Sequence, residues 1–140
     1  MDIAVWLPVW EEIEKKSRAG AQLSNDERTW YLLRSAIDEV EENGLFGFFC
    51  GDYSALSEQV ITAWQAVGAD EMANIFEQGV AALPNQCAPQ NEQEREALIE
   101  EFYDEDFRKI FNELDEDFEE ILSDSEEMLD KLILRIIDNN

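Results

Sequence analysis

The feature that most constrains this chain is the stretch Asp104–Asp130, DEDFRKIFNELDEDFEEILSDSEEMLD. It carries thirteen carboxylates against two cations, Arg108 and Lys109. A run this acidic is usually solvated and unstructured. Here Phe107, Ile110, Phe111, Leu114, Phe118, Ile121 and Leu122 recur at steps of three and four, the period of one helical face. The pattern predicts an ordered helix that docks its apolar side and shows carboxylates on the other.

The rest of the chain is consistent with helices and a real core. The length is 140 residues, with 45% hydrophobic and 11% aromatic residues, six glycines and three prolines. That favours one all-α domain over residues 1–140 rather than a turn-rich β architecture. Thirty-four acids against ten bases leave a net charge of -24. A compact domain of this length is about 37 Å across. Twenty-four charges occupy about 41 Å of duplex DNA. Charge of that density repels nucleic acid and anionic membranes and draws basic proteins or cations inward. No apolar run resembles a signal peptide or a membrane span, which points to a cytoplasmic protein. Cys50 and Cys87 then read as free thiols, with a single disulfide as the alternative.

Taken in order, Val5, Trp6, Val9, Trp10 and Ile13 give a first helix an apolar stripe. Pro8 places the start of its regular part nearby. Ser24 and Glu27 form a capping box for a second helix, with Trp30, Leu33, Ile37 and Val40 inward and Asn43-Gly44 at its end. Asp38, Glu39, Glu41 and Glu42 crowd its last turn, the wrong end of the helix dipole for anions. Phe46, Phe48 and Phe49 among Gly44, Gly47 and Gly51 suggest a tight link whose rings plug the core. A third helix runs to Val67 and a fourth begins at Asp70. Gly79 in the fourth weakens it or allows a close helix approach.

A loop follows Pro84. A fifth helix then carries Leu98, Ile99 and Phe102 inward. The acidic helix is expected from Asp104 to Leu122, and Ser123 or Asp124 to cap a last helix ending near Asp138. Leu129, Leu132, Ile133, Leu134, Ile136 and Ile137 surround that last helix, which reads as a central core helix or a homodimer surface. The sum is a compact single-domain bundle of about six helices with a strongly acidic face.

The chain has no histidine, which removes Ser-His-Asp and Cys-His catalysis and the usual zinc sites. Neither GxxxxGK[ST] nor GxGxxG occurs. Asp115, Asp117, Glu119 and Glu126 fit part of a calcium-loop count, but Glu120 stands where glycine is needed. No enzyme activity, metal or cofactor is implied. The acids are the working residues instead. Glu113–Glu116, Glu113–Asp117, Asp115–Glu119, Glu116–Glu119, Glu116–Glu120 and Asp117–Glu120 are like-charge pairs at helical spacing. Together they cost about 1–3 kcal/mol. A binding surface explains that cost better than solvation alone. Its candidate residues are Asp38, Glu39, Glu41 and Glu42 with Asp104, Glu105, Asp106, Glu113, Glu116, Asp117, Glu119, Glu120, Asp124, Glu126 and Glu127.

Asn43-Gly44-Leu45-Phe46, followed by Phe48-Phe49 and Gly51-Asp52, resembles the asparagine–glycine–glycine–phenylalanine signature of a family of small acidic bacterial DNA-mimic proteins. Val67-Gly68-Ala69, Ala73 and Phe76 resemble a second block of that family, and Phe107, Leu114-Asp115 and Phe118 a third. The chain departs from the pattern at Leu45, where the signature has glycine, and at Gly47 and Cys50. The resemblance implies an all-helical homodimer that binds a helix-turn-helix repressor or a histone-like nucleoid protein in place of DNA. The expected function is therefore a DNA mimic in transcription regulation. The alternative is an immunity protein or antitoxin that neutralises a basic nuclease toxin.

Overall fold

The computed structural model describes residues 3–102 and 104–139. Its helices are α1 (Ile3–Arg18), α2 (Asn25–Cys50), α3 (Ser57–Ala66), α4 (Asp70–Ala82), α5 (Glu92–Phe102) and α6 (Glu105–Asp138). Short 3-10 turns at Asp52–Leu56 and Pro84–Gln86 link them, and the described residues contain no strand. The all-α bundle matches the sequence expectation. No described helix is long and apolar enough to cross a membrane.

α2 starts where the capping box places it. The Ser24 hydroxyl accepts from the Glu27 N–H at 3.1 Å, and the Glu27 carboxylate accepts from the Ser24 N–H at 3.0 Å. Lys16 of α1 donates to the same carboxylate at 2.9 Å. The box thus also ties α1 to α2.

The expected link after Asn43 is instead a second helical piece of α2. Gly44 alone breaks the helix, at φ 76° and ψ 172°. This is backbone that glycine adopts without the Cβ penalty. The chain restarts as helix at Leu45, whose N–H donates to the Asp115 carboxylate of α6 at 2.8 Å. A Cβ on Gly44 would stand 3.0 Å from Asp115 Oδ2, so the close approach also favours glycine. The three phenylalanines do fill the core: Phe48 and Phe49 are buried and Phe46 half-buried.

α6 is one helix of 34 residues, about 51 Å long, where two were expected. Ser123 and Asp124 do not cap a new helix. No glycine or proline interrupts the run, and the Ser125 hydroxyl bonds back to the Ile121 carbonyl at 3.2 Å within the helix. Its buried stripe continues through the expected break: Phe111, Leu114, Phe118, Leu122, Ser125, Leu129, Leu132, Ile133 and Ile136. α6 packs chiefly against α2 and α4.

Phe48 meets Phe49 and Phe76 at 5.3 and 5.2 Å, and Phe49 meets Phe111 at 6.0 Å, all near edge-to-face. Phe76 meets Phe118 at 6.4 Å, which joins α4 to α6. Gly79 makes this possible. A Cβ there would lie 2.6 Å from the Phe49 ring, so α4 approaches α2 only without one.

Some expected inward residues are not inward. Ile110 is 44% exposed and Ile99 46%. Leu134 and Ile137 are also exposed, so the end of α6 buries one face rather than its whole circumference. α1 begins at Ile3, upstream of Pro8, and leaves Val5 exposed. It docks through Ile13, which is fully buried, and through Trp6 and Trp10, which lie 5.8 and 6.0 Å from Trp30. Both cysteines are free, Cys50 half-buried and Cys87 exposed. Burial pushes the Cys50 thiol up to about 11, so it stays protonated at neutral pH.

Candidate interaction surface

The candidate acids fall into groups with different surroundings. The first group lies where the C-terminal turns of α2's first piece run beside α6. Arg34 stands at its centre, with a side chain only 13% exposed. Its Nε and Nη2 donate to Asp38 Oδ1 at 3.3 and 3.0 Å, and its Nη1 donates to Glu126 Oε2 at 3.1 Å. One guanidinium thus joins a carboxylate of α2 to one of α6. The Trp6 ring of α1 covers it, with Arg34 Cζ 5.0 Å from the ring centroid.

Glu41 belongs to this group. Partial burial first, and then the negative charges of Glu119, Glu126 and Asp38, hold its carboxyl above the usual value, while Arg34 opposes them. Asp115 lies further along the same flank. Burial raises its carboxyl and Glu119 raises it further, against the hydrogen bond from Leu45. Asp115 thus caps the second piece of α2. The calcium-loop count falls on continuous helix.

The second group lies on the opposite flank of α6. Asp124 and Glu127 line a cleft of about 350 Å³ with Asp70 and Glu71, the first residues of α4. No lysine or arginine lines it. Asp70 and Glu71 were not among the expected site residues. Their signal in the sequence was weak, because two acids in a helix's first turn are explained by the helix dipole.

The remaining candidates divide by role. Glu113, Glu116, Asp117, Glu119 and Glu120 are exposed on α6 and make no hydrogen bond among the described residues. Asp104 caps α6, accepting from the Phe107 N–H at 2.8 Å, and Glu105 and Asp106 occupy its first turn. These three have a local helix-starting role, and among the described residues no hydrogen bond or ion pair joins them to the Arg34 group. Glu42 is exposed. Glu39 is half-buried and accepts from the Asn43 side chain at 3.1 Å.

No curated protein and no solved structure matches the chain. A protein-family model does match, over residues 21–140, and its description is DMP19-like protein. That finding corrects the resemblance drawn from Asn43-Gly44-Leu45-Phe46. The match is to this specific family and not to a DNA-mimic family defined by an asparagine–glycine–glycine–phenylalanine signature. The physical reason lies in the kink. It needs one glycine, Gly44 with its positive φ, while Leu45 in the signature's second-glycine place is fully buried in helix. α1 lies ahead of the matched residues. From Ala21 to its last residue the chain belongs to the DMP19-like protein family.

Proposed function

We propose that this protein is a DNA-mimic interaction protein whose α2–α6 acidic surface occupies the DNA-binding site of a basic DNA-binding protein. The observation that carries the reading is the ordered array on α6. One uninterrupted helix holds Glu113, Glu116, Asp117, Glu119, Glu120, Glu126 and Glu127 in fixed register, with Asp38 and Glu41 alongside on α2. Successive turns repeat every 5.4 Å, and neighbouring helices lie about 8–10 Å apart. Such rows suit lysines and arginines that otherwise neutralise phosphates. The net charge of -24 adds long-range attraction for the same kind of partner.

The partner class is a helix-turn-helix repressor or a histone-like nucleoid protein, met in a bacterial cytoplasm, and the consequence is altered transcription. A homodimer would extend the array, with the exposed Leu134 and Ile137 of α6 as its apolar contact. The test is a titration of such a basic protein with this chain at two salt concentrations and with duplex DNA as competitor. Binding should weaken about tenfold or more from low to physiological salt, and DNA should displace the chain. Salt-insensitive binding, or a complex that DNA leaves intact, rules the reading out.

A further inference from the structure

Arg34 is anomalous on this surface. It is a cation among acids, largely buried, and its partners come from three helices. Asp38 is four residues on in α2, Glu126 lies in α6, and Trp6 comes from α1. Asp38 and Glu126 remain 53% and 39% exposed, so Arg34 does not hide them. Both bonds to Asp38 end on Oδ1 and the bond to Glu126 ends on Oε2. Asp38 Oδ2 and Glu126 Oε1 accept no hydrogen bond among the described residues and remain open to an incoming cation.

We propose that Arg34 is the positioning residue of the acidic surface and that α1, through Trp6, controls it, so that docking of α1 sets how well the surface binds polycations. The proposal rests on the interaction-surface reading for its binding consequence. The physical argument is one of geometry against charge. Removing Arg34 makes the chain more acidic by one, from -24 to -25. If charge alone governed binding, that change would strengthen it. A guanidinium fork, however, holds two carboxylates on different helices at a fixed separation, and its charge lies over an indole. Lysine keeps the charge but lacks the fork. Without the fork, Asp38 and Glu126 repel each other and must be ordered anew by the ligand, which costs affinity.

α1 enters because Trp6 is the one described aromatic whose ring Arg34 lies over. Trp6 is in turn seated on Trp10 and Trp30 at 6.4 and 5.8 Å. α1 itself is joined to the body through Ile13, the Trp6 and Trp10 rings and the Lys16–Glu27 bond. Ile13 is its only buried residue, and Ile3, Val5 and Leu7 are exposed. Gly20 follows it at φ +73°, where its N–H and that of Ala21 donate to the Ser17 and Lys16 carbonyls at 3.2 and 2.9 Å and close the end of α1. The rings that Trp6 meets are those of Trp10 and Trp30, so a change at Trp6 reaches Arg34 while the Phe core stays closed.

The experiment uses the full chain and a nine-residue oligo-arginine peptide as probe, followed by fluorescence anisotropy at low salt. Arg34→Gln, Arg34→Lys and Trp6→Leu are compared below the melting temperature of each. The account expects Arg34→Gln to bind about threefold more weakly despite its extra negative charge, and Arg34→Lys to weaken binding as well. Trp6→Leu should weaken it less, and the Trp6→Leu/Arg34→Gln double variant should match Arg34→Gln alone. A second readout needs no ligand. Carboxyl titration by NMR should show Glu41 moved further up in Arg34→Gln, and moved in the same direction in Trp6→Leu. Equal or tighter binding by Arg34→Gln, wild-type binding by Arg34→Lys, or a Glu41 titration untouched by Trp6→Leu would each overturn the proposal. So would a wild-type chain that does not bind the peptide. The broader DNA-mimic reading is decided separately, by DNA competition.

Discussion

The two flanks of α6 carry similar numbers of acids and are built in opposite ways. On the α2 flank, Asp38, Glu41 and Glu126 surround a largely buried arginine that bonds to two of them. On the α4 flank, Asp124, Glu127, Asp70 and Glu71 share a cleft that no lysine or arginine lines. The first flank is an interlocked structure whose charges are partly matched from within. The second shows no ion pair among the described residues and is set by its helices. Acidic residues can therefore be paired on one side of a helix and unpaired on the other, and a count of charge does not distinguish the two.

The largest way to disturb both flanks at once is to remove what lies beneath them. Phe118 is fully buried and meets Phe76 of α4. Phe118→Ala should cost about 3–5 kcal/mol in urea unfolding. A loss below 1 kcal/mol would mean that α6 is not seated as described. The sharpest separation of the flanks is the pair Arg34→Gln and Asp124→Asn. The first should destabilise by about 1–2 kcal/mol, less than a fully buried pair because Asp38 and Glu126 are partly in water. The second removes the like-charge pairs with Glu120 and Glu127 and should stabilise by about 0.4–1 kcal/mol. Changes of the same sign would end the comparison.

The pH dependence gives a smaller effect with a defined direction. Burial pushes the Glu27 carboxyl up, but hydrogen bonds from Ser24 and Lys16 outweigh it and hold the group below its usual value. Its stabilisation is present above the unfolded-state value and is lost as pH falls through the folded one. Asp115 and Glu41 are shifted the other way. The folded chain binds their protons more tightly, so each is unfavourable at neutral pH and that penalty lifts on acidification. The melting temperature should therefore rise as pH falls toward the ordinary carboxylate range of about 4, and fall once pH drops below it. An Asp115→Asn/Glu41→Gln variant should flatten the rise, and Glu27→Gln the fall. A monotonic loss of stability from pH 7 would contradict the assignment. Least costly to observe is the assembly state. Sedimentation at micromolar concentration should give a dimer if Leu134 and Ile137 form a contact, and a monomer removes that part of the reading.

Local chemistry made much of the fold legible. The Ser24–Glu27 capping box is visible as two residues three apart, and the phenylalanine period of α6 as steps of three and four. Gly79 was legible as a possible close approach, and the Phe49 ring is what approaches. What stayed hidden needed a neighbour. Ile110 has the same period as Phe111, but periodicity does not say which residues of a stripe have something above them. The continuity of α6 was hidden because Ser123 and Asp124 have cap chemistry, while the stripe through Leu122, Ser125 and Leu129 decides for helix. Arg34 and Asp38 are four apart and could have been paired on sight. The partner that gives them their role, Glu126, is 92 residues away. Asp70 and Glu71 were missed for the same reason, since only folding brings them to Asp124.

The central claim is that the carboxylates of α2 and α6 stand in for phosphates. The most direct measurement is competition: a purified histone-like nucleoid protein bound to labelled duplex DNA at low salt, titrated with the full chain. The account predicts that the chain displaces the DNA, and that displacement fades as salt is raised. A ternary complex that keeps its DNA, or displacement that is indifferent to salt, would contradict it.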